Sequence, residues 1–123
     1  MKALLLAGLG GFIGASLRYA ISHFMLPHTG NWKFPAATFL VNTAGCLIAG
    51  ILLALSLKQD FLTHHARAFL FFGILGGFTT FSAFGLETVH LLQRQEIFWA
   101  GLYVSLTITV GVSALWLGML SVK

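Results

Sequence analysis

Few side chains in this sequence can do chemistry, and most of those stand inside apolar runs. The segment Gly76-Gly77-Phe78-Thr79-Thr80-Phe81-Ser82-Ala83-Phe84 lies in the middle of an apolar stretch from about Arg67 to Val89. A stretch of that length can cross a bilayer as one helix. Each glycine costs about 1 kcal/mol in a helix interior relative to alanine, so the pair weakens the helix at mid-span. A break at that depth is tolerated only where protein or water covers it, and it frees carbonyls and amides that an ion can use. Asn42, in a second apolar stretch, offers two N–H donors and an acceptor without a charge. It can serve an ion, or it can make a helix-to-helix hydrogen bond. Glu87 is the only acid inside such a stretch, and Arg18 the only basic candidate. Charges so placed are functional candidates with an expected partner. The competing expectations are that Arg18 snorkels and that Glu87 reaches water.

Spacing adds faces to these residues. Phe81 and Phe84 are three apart and share a helix face, and Thr80, Phe84 and Glu87 form a stripe. Thr38, Asn42, Gly45, Cys46, Ala49 and Gly50 form a small and polar stripe on another helix. Tyr103, Thr107 and Gly111 make one strip further on, and Ser105, Thr109 and Ser113 make a second. Hydroxyls on membrane helices commonly bond back to their own backbone, which is the plainer reading of both strips. No nucleophile–base pair, cofactor loop or metal cluster has recognisable spacing, so catalysis finds no support. His23 and His28 lack a tight ligand spacing with any Cys, Asp or Glu. Cys46 is alone, which excludes an intrachain disulfide and reads as a small core residue.

Composition says what must position these groups. Of 123 residues, 58% are hydrophobic and only 8% are charged, against about 25% charged in an ordinary soluble domain. The mean hydropathy is +0.91. This is the make-up of an integral membrane protein with room for about four spans and short loops. The net charge of +4 comes from single, scattered basic residues, which is no nucleic-acid footprint. We expect one transmembrane domain over 1–123, with spans at about 3–25, 35–57, 67–89 and 97–120 and the third helix broken. The apolar N-terminus is read as a retained first span rather than a signal peptide. Gly10 and Gly14, like Gly11 and Ala15, are four apart, which lets helix backbones approach closely inside one subunit or between two. The loops are expected at Pro27–Phe34, with Trp32 as an interface anchor, at Lys58–Ala66 with His64 and His65, and at His90–Glu96. Lys2, Lys58, Arg67 and Lys123 would share one side of the membrane, against Lys33 and Arg94 on the other. That weak bias allows insertion either way up. Four thin helices barely enclose a pathway, so an oligomer is expected.

Three segments together are specific: Gly10-Gly11-x-x-Gly14-Ala15-x-x-Arg18-Tyr19, Val41-Asn42-x-x-Gly45, and Gly76-Gly77-Phe78-Thr79-Thr80-Phe81-Ser82-x-Phe84-x-x-Glu87. With them the chain resembles, over essentially its whole length, the Fluc/CrcB family of fluoride ion channels. The resemblance implies an all-α, dual-topology homodimer of antiparallel subunits in the cell membrane, a bacterial plasma or inner membrane. It implies passive export of fluoride through two pathways lined by both subunits. It also implies a structural sodium ion at the dimer centre, held by the backbone oxygens of Gly76 and Thr79. Asn42, Phe81 and Phe84 match the family's pore residues, Thr80 and Ser82 the polar residues around them, and Tyr103 and Thr107 less firmly a hydroxyl track. Gly111 stands where some relatives carry another hydroxyl. Arg18 and Glu87 are left as pore-mouth or structural charges. The partners implied are membrane lipid, fluoride and a second copy of the chain, with no nucleic acid. Two other readings stay open on the residues alone: a small proton-coupled exporter using Glu87, and a non-transporting assembly subunit.

Overall fold

The computed structural model describes residues 1–59 and 62–122. Among them the secondary structure is helical, with no strand. Helix α1 is Lys2–Thr29 and α2 is Ala36–Gln59. Helix α3 covers residues 64–78, in three parts: His64–Arg67, a π-helical stretch Ala68–Leu75, and Gly76–Phe78. Helix α4 is Phe81–Gln93 and α5 is Ile97–Leu120. Taken with α3 and α4 as one interrupted rod, four helical segments are long and apolar enough to cross a membrane. The chain is thus a multi-pass membrane protein with its third span broken.

Several helix ends differ from expectation. Pro27 lies inside the last turn of α1 rather than opening a loop. A proline near the C-terminal end removes one helix bond but leaves few later turns to disturb. His64 and His65 are in the first turn of α3, because Thr63 caps that helix: its Oγ1 accepts the Ala66 amide at 3.2 Å. Arg67 ties this end of α3 to α2, donating to Ser56 Oγ at 2.7 Å. Helix α4 runs on through His90 to Gln93, and the connection to α5 is three residues. There Gln95 takes φ 64, and the Glu96 amide reaches back to the Leu91 carbonyl at 2.9 Å. That closes the helix in the manner usually given to glycine. Asp60, in the expected loop Lys58–Ala66, and Lys123, placed above with the charges of one membrane side, lie outside the described residues.

Glycines let the backbones meet. Gly10 and Gly14 are the buried residues of α1, and both face α3. A Cβ on Gly10 would lie 2.5 Å from the Phe69 carbonyl oxygen, and one on Gly14 would overlap the Ile74 carbonyl. The small-residue spacing of α1 therefore serves packing within the subunit. On the opposite side α2 and α5 close in the same way, Gly50 against the Leu115 carbonyl and Gly118 against that of Leu47. Lipid gives no hydrophobic drive between helices, so such close contacts supply the packing.

Candidate ion pathway

The interruption does not fall on the glycine pair. Gly76 is helical at φ −62, ψ −38, and so is the rest of Gly76–Phe78. The chain turns extended only at Thr79 (φ −83, ψ 157) and Thr80 (φ −150, ψ 118). Gly77 serves α1 instead: a Cβ on it would lie 2.5 Å from the Gly11 carbonyl oxygen. What makes the break is side-chain hydrogen bonding. The Thr80 amide, which would continue the helix onto the Gly76 carbonyl, donates to Asn42 Oδ1 at 2.8 Å. The Asn42 amide nitrogen donates in return to the Thr80 carbonyl at 3.0 Å. The Ala83 amide, which would take the Thr79 carbonyl, goes to Thr80 Oγ1 at 3.1 Å and so caps α4. Gly76 and Thr79 thus lose their ordinary helical donors, while Arg18 Nε takes the Gly77 carbonyl at 3.0 Å. Gly45 leaves room for this arrangement, since a Cβ there would overlap Thr79 Cγ2.

The break borders a cavity of about 540 Å³ between α2, α3, α4 and α5. Asn42, Thr80, Phe81, Phe84 and Thr107 line it, and Gly76 and Thr79 border it on the α3 side. Among the described residues, no carboxylate, lysine, arginine or histidine is in the lining. The Phe81 and Phe84 rings are 5.6 Å apart and tilted by 41°. Phe81 is 83% exposed, so its ring projects from the subunit. Thr107 Oγ1 is buried without a hydrogen-bond partner, which leaves an unsatisfied hydroxyl beside the cavity. Ser82 is not in the lining; its Oγ lies 3.3 Å from Thr80 Oγ1.

Tyr103 also stands outside the lining and is wholly buried. Its hydroxyl donates to Glu87 Oε2 at 2.7 Å, and Thr38 Oγ1 donates to Glu87 Oε1 at 2.6 Å. Glu87 therefore does not reach water alone, and its partners are two hydroxyls rather than Arg18. The Tyr103 ring packs on Phe84 with centroids 5.2 Å apart, joining this cluster to the cavity wall. Sequence reasoning missed the Thr38–Glu87 contact. The available signal was that Thr38 stands four residues before Asn42 on one face of α2. Of the two hydroxyl strips, Tyr103 and Gly111 are buried, whereas Ser105, Thr109 and Ser113 are exposed.

A sequence model of the family described as "CrcB-like protein, Camphor Resistance (CrcB)" matches residues 5–119. The chain belongs to the CrcB family. Its similarity to curated proteins runs the full length. It is 44% identical over 123 residues to a Methylobacillus flagellatus protein named "Fluoride-specific ion channel FluC", covering 100% of this chain and 96% of the relative. Proteins of the same name from Hyphomonas neptunium and Flavobacterium psychrophilum are 46% and 39% identical, covering 97% and 100% of this chain and 94% and 98% of their own length. Within this CrcB chain the three segments noted in the sequence converge. Gly10 and Gly14 seat α3, Asn42 holds the break, and the break presents Phe81 and Phe84 to the cavity.

Proposed function

We propose that this CrcB chain is the subunit of a fluoride-selective channel that lets cytoplasmic fluoride leave passively. The observation that carries the reading is the uncharged cavity in which Asn42, the broken helix and the Phe81–Phe84 pair meet. The full-length relatives named as fluoride-specific ion channels support it. Fluoride is small and tightly hydrated, so donors must replace its water. An amide N–H and hydroxyls do so without the fixed charge that would trap the ion, and a conducting site must release what it binds. A phenyl ring is electropositive at its edge, so edge-presented rings attract a small anion while excluding water. Hydrogen fluoride enters cells neutral and dissociates inside. A potential of about 100 mV, inside negative, then favours exit of the anion by about 2.3 kcal/mol.

The assembly we propose is an antiparallel homodimer with two pathways, in which a second copy covers exposed Phe81 and closes the cavity. A structural sodium ion at its centre fits the chemistry of the break. The Gly76 and Thr79 carbonyls have lost their helical donors to Asn42 and Thr80 side chains, and carbonyl oxygens suit a hard cation. Gly76 and Thr79 of two copies would supply four oxygens. The ion would supply fixed positive charge and cross-link two broken helices. Exchanging sodium for a large organic cation should shift the dimer toward monomer in size-exclusion chromatography and lower flux. An unchanged elution profile with full flux would remove the ion from this account.

The test of the function is a fluoride electrode on proteoliposomes holding the purified protein, with valinomycin and a potassium gradient. Electrogenic fluoride loss without chloride loss is expected. Silence for both anions would favour an assembly subunit. Glu87→Gln should leave passive flux within about threefold of native, since glutamine can still hydrogen-bond the Thr38 and Tyr103 hydroxyls. A proton-coupled exporter would instead lose its pH-dependent coupling in that variant.

A further inference from the structure

A second cavity, of about 450 Å³, opens where α1, the first loop, α2 and α4 come together. Among the described residues, its charged and titratable lining consists of Lys33, Glu87, His90 and Arg94. Glu87 and Thr38 line this cavity and also bind one another. Through Tyr103 they adjoin Phe84, which lines the first cavity. The Thr38–Glu87–Tyr103 cluster thus stands between the two cavities. Beyond it the lining is cationic, but the cations differ. Lys33 Nζ is held by Glu96 Oε1 at 3.0 Å. Among the described residues, Arg94 makes no such pair.

We infer that this cavity is the second mouth of the anion route, and that Arg94 and the Lys33–Glu96 pair set its local anion concentration. The inference rests on the channel reading above. Arg94, free of any salt bridge among the described residues, supplies positive charge at the mouth alongside the hydrogen-bonded Glu87 carboxylate, and this raises the local anion concentration and the rate of entry. Glu96 cancels most of the field of Lys33, so the mouth works below its full positive charge. Two substitutions should therefore move flux in opposite directions, a pattern that general damage to the fold does not produce. Both effects should vanish when the Debye length shrinks to about 3 Å in 1 M salt.

The experiment measures initial fluoride efflux from proteoliposomes at about 10 mM and about 1 M ionic strength, adjusted with an impermeant salt. At low ionic strength Arg94→Gln should slow efflux about threefold and Glu96→Gln should speed it about threefold, from the Coulomb energy of one charge near the mouth. Arg94→Lys, which keeps the charge, should match the native rate. At high ionic strength all four proteins should agree. Native protein that passes no fluoride would overturn the channel reading itself. Native conduction with equal rates for Arg94→Gln and Glu96→Gln at low ionic strength would overturn only the assignment of the mouth. So would slowing by Arg94→Gln that persists at high ionic strength.

Discussion

Replacing Phe81 or Phe84 with isoleucine should cut fluoride flux by up to about tenfold while the dimer persists. The ring edge is what isoleucine lacks, and ring-specific interactions of about 0.5–1.5 kcal/mol correspond to up to about tenfold in rate per ring. Phe81 gives the cleaner result. It is 83% exposed in the subunit, so the substitution removes little packing within the chain. Phe84 packs on Tyr103 at 5.2 Å, and through it touches the Glu87 cluster. Its variant should also lose some stability, about 1 kcal/mol for a volume-reducing change at a half-buried site. Efflux from proteoliposomes and size-exclusion chromatography check the two parts separately. Unchanged flux in both variants would count against the ring-edge mechanism.

Asn42→Ala should lose flux about a hundredfold and also lower the thermal unfolding temperature in detergent. Asn42 is more than a donor held out for an ion. Its amide pairs with both the N–H and the C=O of Thr80, and its oxygen supplies the acceptor that the Thr80 N–H loses at the break. Alanine would leave the Thr80 N–H without its partner, costing about 1–3 kcal/mol when buried, while the Thr80 carbonyl, at the N-cap of α4, keeps its helical bond. One N–H of the Asn42 side chain remains beyond the bond to Thr80, and that N–H faces the task of replacing fluoride's water. Asn42→Asp separates the roles. It keeps an acceptor for the Thr80 amide but sets a carboxylate oxygen against the Thr80 carbonyl and puts a negative charge on the route. It too should fail to conduct. Native-like conduction by Asn42→Ala would show that the route bypasses α2.

Much of the architecture was legible because apolar runs of bilayer length are hard to disguise. The fourth expected span, 97–120, coincides with α5, where polar loop residues precede Phe98 and Trp99. The existence of a break was legible too, but its position was not. Helix propensity pointed to Gly76-Gly77, whereas the interruption lies at Thr79-Thr80. Propensity describes one helix alone. Here a neighbour's carboxamide and a threonine hydroxyl offered the backbone better partners two residues later. The π-helical turn Ala68–Leu75 had no local signature. Likewise, the spacing put Thr38 on the Asn42 face of α2 but could not name Glu87 as its partner, because that contact joins positions 49 residues apart. Motif resemblance named Phe81, Phe84 and Asn42 as neighbours of one cavity, which periodicity alone read as ordinary packing.

The π-helical turn also bears on how this chain can change in length. A π-turn closes its hydrogen bonds one residue later than an α-turn, so Ala68–Leu75 stores a residue beyond what the α path needs. Loss of one residue there, at outward-facing Phe72, lets the backbone fall back to the α path while both flanks keep their bearing. The same loss within α2 would swing every later side chain by about 100° around the axis and carry Asn42 or its neighbours off Thr80. Insertions and deletions among related chains are therefore expected to gather in that wide turn and to spare the helices facing it.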